Sequence, residues 1–374
     1  MELDKIFILL LDTIDMWQAI SVGLFLLILN SKKKNSLLLL GIFLVVSGLS
    51  ALSEIFDFFN AYMKNPYLDI LSFNFIWLLP TLLYLYVERV SIEKAKKSSY
   101  YLLIPGGIDF ILNIGKFLLP LQIKKAIEES LAYALFELFG ILFGLTLIIL
   151  IFRKIRKHSS LIKNQYSSTE NRELKWLLIA ILTIIISFIF TIVSEILFSG
   201  FIADLFQSLL GLFITFWIAY NGLLQQTSIN LVGDDGGVST KIKDKAKSLS
   251  VDDKTEKQNQ VVTKIKDLLR EEKLYLNCDL TIVHIADKIG EHPRLVSGSI
   301  NSICNVNFNR FINRYRVEEA KNLLRSKHTL QLKMEGIGFE AGFNSNSSFY
   351  SAFKTELNIT PLQFLKNSNS GKNS

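Results

Sequence analysis

Carboxylates set inside apolar sequence are the first feature with chemical consequence. Asp12, Asp15, Glu54, Asp109, Glu137, Glu195 and Asp204 stand in, or at the ends of, long hydrophobic runs. An ionisable side chain there is costly unless it faces other protein or a water-filled cavity. Such residues suit an outward-facing pocket for a signal ligand that is cationic or rich in hydrogen-bonding groups. The plainer alternative is that the acids near run ends are solvated, with Asp109 and Glu137 hydrogen-bonded inside a helix bundle. Asp57 and Asp69 lie at the same outer edge. Patterns for other chemistry do not occur. There is no HExxH, no GxSxG, no phosphate-cradling glycine loop and no kinase motif, and the apolar runs lack histidine. Cys278 and Cys304 form neither a CxxC pair nor a metal set, and read as reduced thiols. No enzyme, cofactor or metal is expected.

The elements that must position these acids are apolar. Half of the 374 residues are hydrophobic and only 20% are charged, with a mean hydropathy of +0.33. The charges are uneven: apolar runs extend to about Leu224, and polar, basic sequence follows. A helix needs about 20 apolar residues to cross a bilayer. Seven stretches qualify, at 8–30, 36–56, 68–87, 100–119, 127–152, 174–198 and 201–224. The first is interrupted by Asp12 and Asp15, and the fourth by Pro105, Gly106, Gly107 and Asp109. Trp17, Trp77, Trp176 and Trp217 read as interfacial anchors or bundle packing. The first run, with no basic n-region or cleavage site, reads as the targeting signal itself.

Loop charge orients the bundle, because Lys and Arg collect on the cytoplasmic side. One loop holds Lys32, Lys33 and Lys34, another Arg89, Lys94, Lys96 and Lys97, a third Arg153, Lys154, Arg156, Lys157, Lys163, Arg172 and Lys175. The alternate loops hold only Lys64, or Lys124 and Lys125. Seven crossings then put the N-terminus outside a bacterial inner membrane and the C-terminus in the cytoplasm. A transporter regulated by its own tail is the rival reading. It is disfavoured because no inverted repeat is visible and only the fourth run is clearly broken.

Residues 225–260 are polar, carry the GDDGG turn cluster, and read as a flexible tether. A short helix through 241–249 is an alternative. Beyond Val261 the pattern is helical and soluble. In LTIVHIADKIGEHPRLVSGSIN, Thr281 caps one short helix, Gly290 permits a tight turn, and His292 with Pro293 opens a second. The arrangement recurs in KMEGIGFEAGFNSNSSFYSAFK, with Gly342 at the turn and Ser345 as cap. Phe311, Phe343, Phe349 and Phe353 read as core. Two short helices about such a turn form a helix-turn-helix, whose second helix enters the DNA major groove. Between the two units, FNRFINRYRVEEAKNLLRS gives a rod of about 27 Å for about 18 residues. That approaches the roughly 34 Å of one duplex turn.

These strings resemble the DNA-binding domain of the AraC/XylS family, in members with a multi-span membrane sensor at the N-terminus. The matching residues are YLNCDLT, IADKIG, LVSGSIN, NFNRFINRYRVEEAKNLL and GFNSNSSFYSAFKTELNITPLQF, with Thr360 and Pro361 opening the closing helix. The resemblance covers about a quarter of the chain. It implies base-facing residues Arg294, Ser297 and Gly298 in the first unit, and Asn346, Ser347, Ser348 and Ser351 in the second. Many family members carry Arg or Lys where Gly298 and Ser351 stand. Phosphate contacts then carry more of the affinity, with Arg310, Arg314, Arg316 and Lys354 as candidates, Arg316 also being placed to pair with Glu319. Residues 257–374 hold 17 Lys and Arg against 11 Asp and Glu, a balance that suits a polyanion. Gly336 and Gly338 stand where the family has helix formers, and each should cost roughly 1 kcal/mol against Ala.

The expectation is an all-α protein. Residues 1–224 form a seven-transmembrane bundle, 225–260 a linker, 261–367 a soluble double helix-turn-helix domain and 368–374 a disordered tail. It would couple an outer or intramembrane signal to promoter binding. Its partners would be double-stranded DNA, the lipid bilayer and a signal ligand of unknown identity, with a homodimer partner and RNA polymerase as further candidates.

Overall fold

A computed structural model describes residues 2–29, 35–52, 55, 75–92, 95–117, 119–170, 172–197, 200–231, 251–325 and 333–370. Glu54, Asp57, Asp69, Lys32 to Lys34, Lys64, Lys94 and the helix considered at 241–249 lie outside these residues. The chain divides into two units. One comprises Met1–His158 and Leu174–Gly233, the other Ser159–Glu173 and Asp234–Ser374. The described residues are all-α, apart from an isolated antiparallel bridge between Tyr166 and Thr281.

The first unit is built from α1 (Glu2–Leu29), α2 (Asn35–Ser50), α3 (Leu78–Val90), a 3-10 turn (Lys97–Leu103), α4 (Ile104–Phe117), α5 (Leu121–Glu128), α6 (Leu131–Gln165), α7 (Lys175–Leu197) and α8 (Phe201–Leu231). Its core gathers Leu26, Leu40, Leu44, Val87, Ile151, Leu177 and Ile218. Glycines let α1 and α2 touch backbone to backbone. A Cβ on Gly23 would lie 2.8 Å from the Gly41 carbonyl, and one on Gly41 2.9 Å from the Gly23 carbonyl. Small residues at helix crossings are the usual device where lipid removes the hydrophobic drive for association. Apolar side chains such as Leu10, Phe139, Leu182 and Phe216 point outward. Trp77 packs among Phe136, Phe139 and Phe143, and Trp217 Nε1 donates to the Trp176 carbonyl at 2.8 Å. Trp17 alone of the four tryptophans is exposed.

The expected count of seven spans is corrected here. Among the described residues three helical stretches are long and apolar enough to cross a membrane, Leu3–Leu29, Leu131–Gln165 and Phe201–Gln225. Leu37–Ser50 and Lys175–Thr191 are apolar but shorter. The stretch at 100–119 fails because it is not one helix. A 3-10 turn ends at Leu103, and α4 starts at Ile104 with Pro105 in its first turn, the position where proline's missing N–H costs nothing. The 14 residues of α4 rise only about 21 Å, against a hydrocarbon core of about 30 Å. Of the stretch at 68–87, residues 68–74 lie outside the described residues, and the described part contributes to α3, 13 residues starting at Leu78. The orientation argued from seven crossings loses that footing.

The second unit contains α9 (Val251–Glu272), a 3-10 turn (Leu274–Leu276), α10 (Ile282–Ile289), α11 (Pro293–Cys304), α12 (Phe308–Arg325), α13 (Met334–Glu340), α14 (Asn346–Leu357) and α15 (Pro361–Ser370). Helix α8 runs on to Leu231 and α9 begins at Val251, so both ends of the expected tether are helical. Likewise α15 reaches Ser370, inside the expected tail. The unit has two cores. Val261, Ile265, Leu269, Ile285, Val296, Ile300, Phe308, Phe311 and Ile312 make the first. Val317, Ala320, Leu324, Ile337, Phe343, Phe349 and Phe353 make the second. Helix α12 belongs to both: its N-terminal half buries into one and its C-terminal half into the other.

Candidate nucleic-acid interface

Local chemistry sets the first helix pair. Thr281 Oγ1 accepts from the His284 backbone N–H at 3.3 Å, and His284 Nδ1 accepts from the Thr281 N–H at 3.4 Å. This reciprocal cap satisfies two donors that a helix start leaves orphaned. Ile282, Ile285 and Ala286 face inward. Gly290 ends α10 at φ 70°, a left-handed conformation that glycine adopts without a Cβ penalty. The next helix starts at Pro293, with His292 Nδ1 accepting from the Arg294 N–H at 3.2 Å. Val296, Ser299 and Ile300 bury. Arg294 is exposed, Ser297 and Gly298 are half-exposed, and nothing lies within 4 Å of where a Gly298 Cβ would stand.

The second pair repeats the plan. Helix α13 ends in a turn at Gly342, whose φ is 90°. A Cβ there would lie 2.4 Å from the Tyr275 carbonyl, so only glycine fits. Ser345 Oγ caps α14 by accepting from the Ser348 N–H at 3.2 Å. Phe349, Ala352 and Phe353 bury, while Asn346, Ser347, Ser351 and Lys354 are exposed. Ser348 is half-exposed, and its hydroxyl donates to the Ser345 carbonyl at 2.9 Å, so part of its capacity serves the cap. The rings of Phe343, Phe349, Phe353 and Phe364 pack on one another, as core rather than as platforms for bases. Thr360 and Gln363 cap α15 reciprocally.

The cations divide into two kinds. Arg310 and Arg314 are exposed on α12 and share Glu356 of α14, at 2.7 and 3.2 Å. That carboxylate was not singled out in the sequence; its place three turns along α14 gives no local signal of two arginine partners. Arg316 is 1% exposed, which corrects its reading as a phosphate contact. Its Nε donates to the Tyr275 carbonyl at 2.7 Å, and Nη2 to the Asn277 carbonyl at 2.8 Å and to Ser167 Oγ at 2.9 Å. Nη1 reaches the Ser167 carbonyl at 3.2 Å. Burial pulls the guanidinium down to about 10. Its bonds run to carbonyls and a hydroxyl, while Glu319 takes the Tyr275 hydroxyl at 3.1 Å and Lys273 at 3.5 Å. Burial, with the Glu319 carboxylate beside it, pushes the Tyr275 phenol up to about 12.

The acids expected to share a signal pocket fall into two groups. Asp12 and Asp15 of α1 lie with Asp204, Ser208 and Thr215 of α8. Asp109 of α4 accepts from Asn113 Nδ2 at 3.2 Å, with Lys116 and Glu137 nearby. Lys116 Nζ donates to Glu128 at 3.4 Å and to the Tyr133 hydroxyl at 3.2 Å. Glu195 is in the last turn of α7, and its side chain is outside the described residues. Among the described residues no group of three His, Cys, Asp or Glu is placed to hold a metal.

Residues 285–367 match the family model described as Helix-turn-helix domain. No curated protein and no solved structure matches the chain. The matched stretch runs from within α10 to within α15 and so takes in both helix pairs and the shared rod. The C-terminal part of this chain is thus similar to a helix-turn-helix domain, over both of its helix pairs.

Proposed function

We propose that this protein is a membrane-anchored, sequence-specific transcription regulator that couples a signal at its apolar unit to promoter binding. The observation that carries the reading is the doubled, capped helix pair held on the single rod α12. Two reading helices about one rod suit successive major-groove segments on one face of a duplex. Arg294, Ser297 and Gly298 on α11, and Asn346, Ser347, Ser348 and Ser351 on α14, are the base-facing set. Asn346 can bond adenine bidentately, and serines read base edges weakly. Arg310, Arg314 and Lys354 supply phosphate contacts.

Connectivity and loop charge support a cytoplasmic location for the second unit. Segment Ser159–Glu173 and the C-terminal residues share one unit, and between them the chain passes through α7 and α8. Two crossings by this pair would return the chain to the side it left; α8 contains one of the three long apolar stretches, and α7, whose apolar stretch Lys175–Thr191 is shorter, has 23 residues in all, a rise of about 34 Å. The basic run Arg153, Lys154, Arg156 and Lys157 just before the segment supports a cytoplasmic side there, where DNA is. The acids of α1 and α8 are the candidate signal site.

Two measurements test this. The full chain in phospholipid nanodiscs, offered a pool of random duplexes, should enrich a defined sequence with steep salt dependence. Enrichment of nothing overturns the regulator. A reporter fused to the C-terminus should be active only if it is a cytoplasmic one; activity of a periplasmic reporter there overturns the topology.

A further inference from the structure

The segment Ser159–Glu173 joins α6 to α7 in sequence, yet it belongs to the DNA-binding unit. Ser167 is its anchor. The Ser167 backbone N–H donates to the Leu280 carbonyl at 3.0 Å, and Tyr166 bridges to Thr281 at the cap of α10. The Ser167 carbonyl accepts from Asn309 Nδ2 at 2.7 Å and from Arg316, and its hydroxyl accepts a second Arg316 N–H. At the rim, Arg172 pairs with Asp279 at 3.1 Å. A short connection between two apolar helices thus holds both the cap of the first reading pair and the rod.

Its position relative to the reading face is specific. A cavity of about 260 Å³ is walled on one side by Lys163, Ser168 and Thr169 of the segment, and on the other by Arg310, Ser348 and Ser351. The last three are in the proposed DNA-facing set, so a sugar-phosphate backbone meeting Arg310 must enter space that the segment rims. The docked arrangement is also imperfectly satisfied. Among the described residues Ser168 Oγ is buried with no hydrogen-bond partner, a cost of the docked state that release into water would relieve.

We propose that Ser159–Glu173 is an intramolecular latch that competes with DNA for the flank of the second reading helix. The latch rests on the regulator reading above. Because its ends are α6 and α7, any signal that favours a different packing of those helices pulls on it, and a ligand shifts the balance by its differential affinity for the two packings. The latched chain binds DNA weakly and the released chain binds it well.

The test uses the full chain in phospholipid nanodiscs and the duplex enriched from a random pool. Arg172→Ala removes the rim ion pair, and Ser167→Ala removes one acceptor of Arg316. Each should tighten duplex binding about five- to tenfold, within the usual range of coupling between two sites. The sign is informative for Arg172→Ala, because losing a cation would by charge alone weaken binding to a polyanion. Hydrogen exchange at the Ser167 amide should be slow in the free chain and faster with duplex bound. If Ser167→Ala loses helical content, Arg172→Ala and the exchange measurement decide. Unchanged or weaker binding by the variants, with the parent still sequence-specific, overturns the latch and leaves the regulator standing. Failure of the parent to enrich any sequence overturns both.

Discussion

Glu356 holds Arg310 across the space between α14 and α12, its Oε1 accepting from the arginine Nε at 2.7 Å. The same carboxylate takes Arg314 through its other oxygen. Two cations proposed for phosphate contact are therefore partly neutralised from the second reading helix. Glu356→Gln should free both. Binding to any duplex should tighten, and the slope of log affinity against log salt should steepen by up to about two, since roughly one counterion is released per phosphate neutralised. Titrations at several salt concentrations measure this. An unaltered slope would mean that DNA already displaces the carboxylate.

Asn346 and Lys354 lie exposed on one helix but should fail differently. Asn346→Ala removes the proposed bidentate base contact, so discrimination against the wrong base should fall by about 1–3 kcal/mol. Lys354→Ala should weaken all duplexes alike and reduce the salt slope by about one. Competition between the enriched duplex and a scrambled one separates the two outcomes. Equal loss on both sequences for Asn346→Ala would remove that residue from the base-reading set.

Gly338→Ala sets helix propensity against packing. Propensity alone favours alanine by about 1 kcal/mol, and the sequence reading expected a gain. Packing opposes that gain: a Cβ at Gly338 would stand 3.0 Å from Cδ1 of Phe349, a ring with no exposed surface. Overpacking of this kind costs about 1–3 kcal/mol, so the melting temperature of the second unit should fall. A rise would show that the ring can shift.

Tyr275 should make stability fall at high pH. Its folded phenol titrates near 12, above the ordinary value of 10. The fold favours the neutral form, so this contribution is fully present below pH 10 and is lost as pH rises through about 12. Tyr275→Phe keeps the ring and removes the hydroxyl that Glu319 accepts from. The variant should show a flatter stability profile above pH 10 in denaturant titrations, together with loss of one late-titrating phenolate absorbance. Identical profiles would mean that another group controls the alkaline limb.

What was legible in the sequence is what depends on neighbours along the chain. Thr281, Gly290, Pro293, Gly342, Ser345 and Thr360 mark helix ends through contacts with residues no more than five positions away, so both helix pairs could be read directly. Helix interruption was harder. The residues Pro105 to Gly107 were visible, but apolar content on both sides suggested one span where the backbone makes a 3-10 turn and a new helix. Long-range pairings were invisible: Arg316 lies 149 positions from Ser167, and nothing near either residue announces the other. The same holds for Phe349, whose Cδ1 would stand 3.0 Å from a Cβ added at Gly338 and so opposes the propensity argument.

The two cores share α12, and this makes rotation about its axis a matter of phase. One residue inserted near its middle would turn everything beyond it by about 100° and advance it about 1.5 Å. Helix α14 would then turn away from the side on which α11 is proposed to read DNA, although each half kept its own interior. Four inserted residues would nearly restore the facing while lengthening the rod by about 6 Å. On the proposed reading the length of α12 sets the spacing of the two helices to the helical repeat of the duplex, and operators with stretched or compressed half-site spacing should be rejected for geometric reasons alone.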